Sequence, residues 1–335
     1  MRGTRSSDAR IVTIVNRRAH WLAGEAVTSR ALLDVLRARR PGVRVVETHT
    51  LTELDAAAQE VARQVPYAIV LAGGDGSYMA GVTALARAFA DAGRGAELPP
   101  LGLAPGGTVS TVARNWGFKG GGLLSGGTSE AARYTSRLLD AIGAGQASTT
   151  ERPTLHVVDD SETRVGFIFG AGLVARFFEV YDEEGARGYR GAASIVARIF
   201  AGSLARGRLA QRVLTPVPCT VEVDGVRAPF DAASLVCASV VRNLGIGMRL
   251  LYRAGEAHDR FHVVASPLEP ALLGPQLPLV LAGRPLLGSR RIDCLARRLT
   301  LRFPERGGAY VLDGELLRTE QVDVTPGPVL RILSV

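Results

Sequence analysis

The sequence predicts an α/β chain in two parts, a parallel sheet covered by helices followed by an antiparallel, sandwich-like half. Three observations carry this. Through residue 145, short apolar strands alternate with helical stretches, as in a parallel sheet with crossover helices. Beyond that point come many short β-branched runs, with Asp224-Gly225 between apolar segments as a hairpin signal. With 335 residues, 47% of them hydrophobic, the chain can bury two cores of ordinary size.

In the first part, strands are expected at Arg10 to Val15, Val43 to Thr48, Tyr67 to Ala72 and Pro100 to Ala104. Between the first two, Val27, Ala31, Leu32, Val35 and Leu36 recur at helical spacing, with arginines on the other face. Gly120 to Gly127 reads as a glycine-rich loop. Gly143 to Thr150 is a short Gly/Ser/Thr segment after a helix, and the boundary is placed there, giving domains of residues 1–147 and 148–335. Strands of the second are expected at Leu155 to Val158, Arg164 to Phe169, Thr220 to Val223, Ser234 to Val241 and His262 to Ala265, with one helical region near Ser194 to Ala205.

Composition excludes several classes. No apolar run approaches the roughly 20 residues that cross a bilayer, because Leu277 to Leu287 is broken by Pro278, Gly283, Arg284 and Pro285. The apolar stretch Ile11 to Val15 is too brief for a secretory signal, so a cytoplasmic address is expected. Cys219, Cys237 and Cys294 have neither the number nor the spacing of a disulfide framework or zinc knuckle and read as core thiols. His258 and His262 stand four apart, but their neighbours look like strand rather than a metal-binding helix. The net charge of +8 rests on arginine, since Lys119 is the one lysine. Gly120 follows it, which closes the Walker route to a triphosphate. A positive balance suits an anionic partner. Nucleic acid is disfavoured, because the arginines are spread out and aromatics are 6% of the chain.

The most informative segment is Ile69 to Ser77, a buried strand that breaks into Gly73-Gly74-Asp75-Gly76-Ser77 and then a helix. Glycines let the main chain approach a ligand, and the helix begins with free N–H groups, which together make a phosphate cradle. Asp75 inside it would repel phosphate, so it reads as a partner of a bridging Mg²⁺, as a proton acceptor, or as a plain N-cap. A second turn, Pro105-Gly106-Gly107-Thr108, follows the next strand and should reach the same carboxyl edge, where open α/β sheets bind ligands. Near the end, Asp313-Gly314-Glu315 reads equally well as a hairpin or as a site.

In this order, with a Gly-x-Gly turn at Gly170 to Gly172, the motifs resemble the diacylglycerol kinase catalytic-domain family, which includes sphingosine, ceramide and bacterial lipid kinases. Gly-Gly-Asp-Gly alone is shared with NAD kinases and phosphofructokinases. The late Asp-Gly-Glu makes the ordered set specific.

The resemblance implies an N-terminal Rossmann-like (phosphofructokinase-like) nucleotide domain and a C-terminal β-sandwich lipid-substrate domain, with catalysis in the cleft between them and the last segment returning toward it. It implies ATP and Mg²⁺ as cofactors, with no metal ligands named. Gly73, Gly74, Asp75, Gly76 and Ser77 would hold ATP phosphates, and Asn16, Thr50, Gly106, Gly107 and Thr108 would complete the nucleotide site. Asp313 and Glu315 stand where the family places its proton acceptor, with Asp75 as the competing choice.

The expected activity is transfer of the γ-phosphoryl group to a hydroxyl of a long-chain lipid of the diacylglycerol, ceramide or sphingoid type. The protein would act peripherally at the anionic inner face of the membrane, with room for a homodimer. Rival readings are a soluble-metabolite kinase of the same superfamily and a nucleotide-binding relative without catalysis. Arg187 and Arg190 are candidate phosphate contacts or a solvated basic face. Ile195, Val196, Ile199, Phe200 and Leu204, with Arg198, Arg206, Arg208 and Arg212 nearby, form either a membrane-surface helix or a core stripe.

The chain departs from the pattern in places. Asn16 is followed by Arg17, Arg18 and Ala19 instead of Pro-x-Ser-Gly. Ser110 and Thr111 replace Asn-Asp after the second turn, and Val174 stands where an aspartate is usual.

Overall fold

The computed structural model describes residues 11–19, 27–38, 42–107, 109–119, 127–186, 188–304 and 307–335. It divides into two compact units, one of residues 1–152 and 330–335, the other of residues 153–329.

In the first unit, strands β1 (Ile11–Asn16), β2 (Val43–Thr48), β3 (Ala68–Gly73) and β4 (Leu101–Pro105) alternate with helices α1 (Val27–Arg37), α2 (Leu51–Gln64) and α3 (Asp75–Asp91). Helices α4 (Thr111–Asn115) and α5 (Gly127–Gly143) and strand β5 (Ser148–Arg152) follow. The strand order is β2-β1-β3-β4, then the C-terminal strand Leu330–Ser334, then β5. The first four are parallel. β3 is buried along its whole length, which is why Ala68 to Gly73 reads as an unbroken apolar run rather than an alternating one. Leu32, Leu33 and Leu36 give α1 its buried face, as the helical spacing predicts.

Two corrections to the sequence-based boundary follow from strand pairing. β5 lies beyond residue 147, yet it pairs antiparallel with the C-terminal strand. That strand pairs in turn with β4, in parallel, at Ile332↔Leu101. Both segments therefore belong to the first unit, and the second is an insertion between them. Leu330, Ile332 and Leu333 are each at most 5% exposed, so burial of apolar surface explains why the chain end docks here.

The second unit is built on two six-stranded antiparallel sheets. In one, the order is Val226–Arg227, Thr220–Val223, Leu299–Arg302, Gln321–Pro326, Leu155–Asp159 and Thr163–Gly166. In the other it is Ile292–Ala296, Phe261–Ser266, Leu235–Ser239, Ile168–Gly172, Gly308–Leu312 and Glu315–Thr319. The single strand expected over Arg164 to Phe169 is thus two strands in different sheets.

Helices α6 (Leu173–Glu183), α7 (Gly188–Leu204) and α8 (Arg208–Leu214) share a core with the second sheet. Ile195 and Ile199 lie in that core with Val213, Leu235, Cys237 and Val264. Of the stripe expected on this helix, these two side chains are therefore core and cannot meet a bilayer. Leu204, at the end, is 64% exposed.

Candidate active site

The parallel order β2-β1-β3-β4 brings the ends of the four strands to one edge. Gly73 pairs with Pro105, and the turns that follow touch through their backbones: Gly106 N–H donates to Gly73 C=O at 2.7 Å. A Cβ on Gly107 would stand 2.4 Å from Gly74 Cα, so neither turn accommodates a side chain at this contact. Asn16 Nδ2 donates to Ser77 Oγ at 2.9 Å, and Gly74 N–H donates to the same oxygen at 3.3 Å. The first intrahelical bond of α3 is Tyr78 N–H to Gly74 C=O, at 3.0 Å. The amides of Asp75, Gly76 and Ser77 precede it and are oriented as helix N-terminal donors.

Asp75 is committed elsewhere. Its Oδ2 accepts Thr111 N–H at 2.8 Å and its Oδ1 accepts Val112 N–H at 2.9 Å. The carboxylate thus caps the start of α4 and ties α3 to the segment after the second turn. Burial raises its pKa above the ordinary carboxylate value, against the pull of the Val112 and Thr111 amides. The Asn-Asp to Ser110-Thr111 departure lies at this point, with Ser110 in the left-handed region at φ 49° and its Oγ donating to Gly107 C=O at 3.2 Å.

Thr50 stands after β2 as N-cap of α2, its Oγ1 accepting Glu53 N–H at 3.1 Å. Thr108 lies outside the described residues, as does Arg187. Arg17, next to Asn16, was not singled out as a ligand from sequence. Its Nε lies 3.5 Å from Glu47, while its buried Nη1 has no hydrogen-bond partner among the described residues. The legible signal was the replacement of the expected proline by an arginine.

In the second unit, Asp313-Gly314 forms a hairpin turn closed by the pair Leu312↔Glu315, with Asp313 at φ 50° and Gly314 at φ 90°. Asp313 is 6% exposed. Its Oδ2 accepts Phe167 N–H and its Oδ1 accepts Ile168 N–H, both at 2.9 Å. Asp224, in the other Asp-Gly turn at φ 49°, does the same kind of work, its Oδ1 accepting the N–H groups of Arg297 and Arg298, each at 2.8 Å. The repetition marks Asp313 as a clamp on the neighbouring strand.

The Glu315 carboxylate, two residues on, accepts no hydrogen bond from any described residue, while its main chain pairs with Leu312. The residue is exposed overall, yet protein crowds its carboxyl group, and that burial raises its pKa above the ordinary glutamate value, with Arg164 pulling it down and Glu162 pushing it up. Arg164 is itself held at 2.8 Å by Asp159, and Asp159 also accepts Tyr310 O–H at 2.6 Å. Burial would raise the Asp159 pKa, but hydrogen bonds from Ser161, Tyr310 and the Glu162 amide hold it well below the usual carboxylate range.

The expected Gly170 to Gly172 turn is mostly strand, and the chain leaves it only at Gly172, with φ 68°, where Leu173 N–H donates to Ser234 C=O at 2.7 Å. A Cβ on Gly170 would meet the Val174 side chain at 2.6 Å, so the residue at the expected aspartate position packs against the strand. Arg190 is exposed on α7.

Comparison with known proteins bears on both units. Residues 10–141 match the diacylglycerol kinase catalytic domain. That segment, less than half of the chain, holds Asn16, Thr50 and both glycine turns. Among solved structures, the crystal structure of a diacylglycerol kinase from Bacillus anthracis str. Sterne is 14% identical, with TM-score 0.58, covering 98% of this chain and 98% of that one. Another structure from the same organism is 16% identical, with TM-score 0.59 and 98% of each chain covered. At these identities the likeness is one of fold, and it runs through the second unit as well. No curated protein matches the chain.

Kinases with the catalytic domain matched by residues 10–141 generally use ATP and Mg²⁺. The two glycine turns pack directly on each other, so Gly74 and Gly107 are required by their own contact, and the donors that fit nucleotide phosphates are the amides of Asp75, Gly76 and Ser77 at the start of α3. Among the described residues no group of three His, Cys, Asp or Glu side chains could hold a metal ion, and the oxygens of Asp75 are taken by amides. No described helix is long and apolar enough to cross a membrane.

Proposed function

We propose that this protein is an ATP-dependent lipid kinase that transfers the γ-phosphoryl group to a hydroxyl of a long-chain lipid, of the diacylglycerol or ceramide type. The observation that carries it is the backbone contact of Gly74 with Gly107, which joins two glycine turns into one phosphate cradle beside Asn16 and Ser77. The amides of Asp75, Gly76 and Ser77 are the anion-facing donors of that cradle, and Arg17, with its free Nη1, is a further cation for the nucleotide tail.

Glu315 is the proton acceptor in this reading, because the oxygens of Asp75 and Asp313 are already engaged by main-chain amides while those of Glu315 are not. The acceptor oxygen forms the new bond to phosphorus as the bond to the ADP oxygen breaks, and the hydroxyl proton passes to Glu315. Little covalent work falls to the protein, so positioning and charge stabilisation supply most of the rate. A carboxyl pKa raised above the ordinary glutamate value suits a base that must take a proton and release it. Asp75 and Asp313 are positioning residues that hold, respectively, α4 and the strand beginning at Ile168.

The test is γ-labelled ATP with a panel of diacylglycerol, ceramide, sphingoid base and water-soluble acceptors. Label should enter lipid with the native protein and disappear with Glu315→Gln. Label in water-soluble acceptors alone, or native rates from Glu315→Gln, would overturn the lipid reading or the base assignment respectively.

A further inference from the structure

The second unit exposes leucines where nothing in its own core needs them. Leu204 is 64% exposed, Leu272 60%, Leu287 63% and Leu281 46%. Scattered exposed leucines are ordinary, but these are brought together. The Gln276 side chain donates to Leu272 C=O at 2.9 Å and to Leu287 C=O at 3.1 Å, and accepts Leu287 N–H at 2.6 Å. One amide thus staples both leucine-bearing segments. Gly274 seats the same loop on the end of α7, for a Cβ there would lie 2.1 Å from Ser203 Cβ, and Leu204 is the next residue. The stem of Arg249 lies against Gly283, 3.4 Å from where a Cβ would be, which draws in the loop that carries Leu281 and Arg284.

The charge around these leucines is mostly positive. No acidic residue occurs from Ala186 to Val221 or from Pro270 to Arg291, and the exposed acid at the patch is Glu269, at the start of the turn that carries Leu272. Some arginines of the unit are paired, Arg198 with Glu184 and Arg212 with Glu183 within the first stretch, and Arg298 with Asp323 outside both. Arg206, Arg208, Arg249 and Arg284 are exposed, and none has a carboxylate partner among the described residues. Leucines set among unneutralised arginines match a surface of lipid phosphates over acyl chains, which takes the leucines below the headgroups and pairs the guanidinium groups with phosphate. A second copy of the chain fits poorly, since a two-fold contact would set arginine against arginine.

We propose that this face, built from the end of α7 and the loop around Gln276, docks the protein on an anionic bilayer. The proposal rests on the lipid kinase reading for its purpose, since the acceptor is dissolved in the bilayer, but its test does not depend on turnover. The full-length protein is sedimented, without ATP, with vesicles of phosphatidylcholine alone and of phosphatidylcholine with about one-third phosphatidylserine.

Native protein should favour the anionic vesicles, and the preference should fade as salt is raised. Arg206→Gln with Arg208→Gln should weaken that binding about 25-fold, at roughly fivefold per arginine. Leu272→Gln with Leu287→Gln should weaken it by at least about tenfold. All four positions are exposed, and an unchanged melting curve checks the fold. Both variants should keep native transfer to detergent-dispersed lipid, so loss of binding is separable from loss of the kinase reading. Equal binding to both vesicle types, native binding by either variant, or a solution dimer abolished by the same substitutions would overturn the proposal.

Discussion

Gly74 and Gly107 meet backbone to backbone, closely enough that a Cβ on Gly107 would stand 2.4 Å from Gly74 Cα. Neither partner is a flexible side chain that could swing away, so the cost of filling the gap falls on the two turns themselves. Gly107→Ala should therefore destabilise the protein by about 1–3 kcal/mol and raise the KM for ATP, as thermal denaturation and initial-rate kinetics would show. An alanine variant with native stability and native KM would mean that the turns are not locked together.

The two acids of the late hairpin should separate cleanly. Asp313→Asn keeps the left-handed backbone that asparagine tolerates but leaves one of the Phe167 and Ile168 amides facing an NH₂ group. It should cost about 1.5–3 kcal/mol in stability while the folded fraction keeps its turnover. Glu315→Gln should do the reverse, with the melting temperature held and kcat lost. Denaturant titration beside single-turnover kinetics distinguishes the pair.

Acid dependence of the rate follows from the same carboxyl group. The base works ionised, and burial raises the Glu315 pKa, so kcat should fall as pH is lowered through a midpoint above the ordinary glutamate value. Arg164 pulls that pKa down, hence Arg164→Gln should move the midpoint further up. For stability the sign is opposite to that of a paired carboxylate. The fold favours the protonated form of Glu315, so this group lowers stability once pH has risen through the folded pKa, and Glu315→Gln should be neutral or slightly stabilising near pH 7. A kcat midpoint at or below that of free glutamate would exclude Glu315 as the base.

Asp159 offers the paired case. Its depressed pKa gives stability that is present above the unfolded value near 4 and is lost as pH falls toward the folded one. Tyr310→Phe removes a 2.6 Å donor to it and should cost about 1.5–3 kcal/mol at neutral pH, a difference that narrows on acidification. Melting curves of the two proteins at stepped pH would show whether the gap closes.

Truncation after Val329 should prevent folding of the first unit. The last strand lies between β4 and β5 in the sheet and buries Leu330, Ile332 and Leu333. At about 1.5–3 kcal/mol per buried side chain, its loss approaches the whole stability of an ordinary domain. Soluble, protease-resistant protein from the truncated chain would refute this.

Much of this molecule is legible along the chain because it depends on near neighbours. Apolar runs, glycine turns and helical spacing are local, and they located β1 to β4, the Gly73 to Ser77 turn and the hairpins at Asp224 and Asp313 within a residue or two. What an Asp-Gly pair does with its carboxylate is not local. Asp313 is engaged by amides 145 and 146 residues away, Asp75 by amides 36 and 37 residues away, and no periodicity records such partners.

The same holds for membership of a unit. Sequence reading placed Leu330 to Val335 in the second domain, and only pairing with β4 and β5 assigns it to the first sheet, because a strand's hydrogen-bond partners are chosen by tertiary packing. By itself the sequence determined a two-part α/β chain with two glycine turns after parallel strands and a late acidic turn. The tertiary structure decided which carboxylates are engaged, since folding gives the oxygens of Asp75 and Asp313 to main-chain amides far away along the chain.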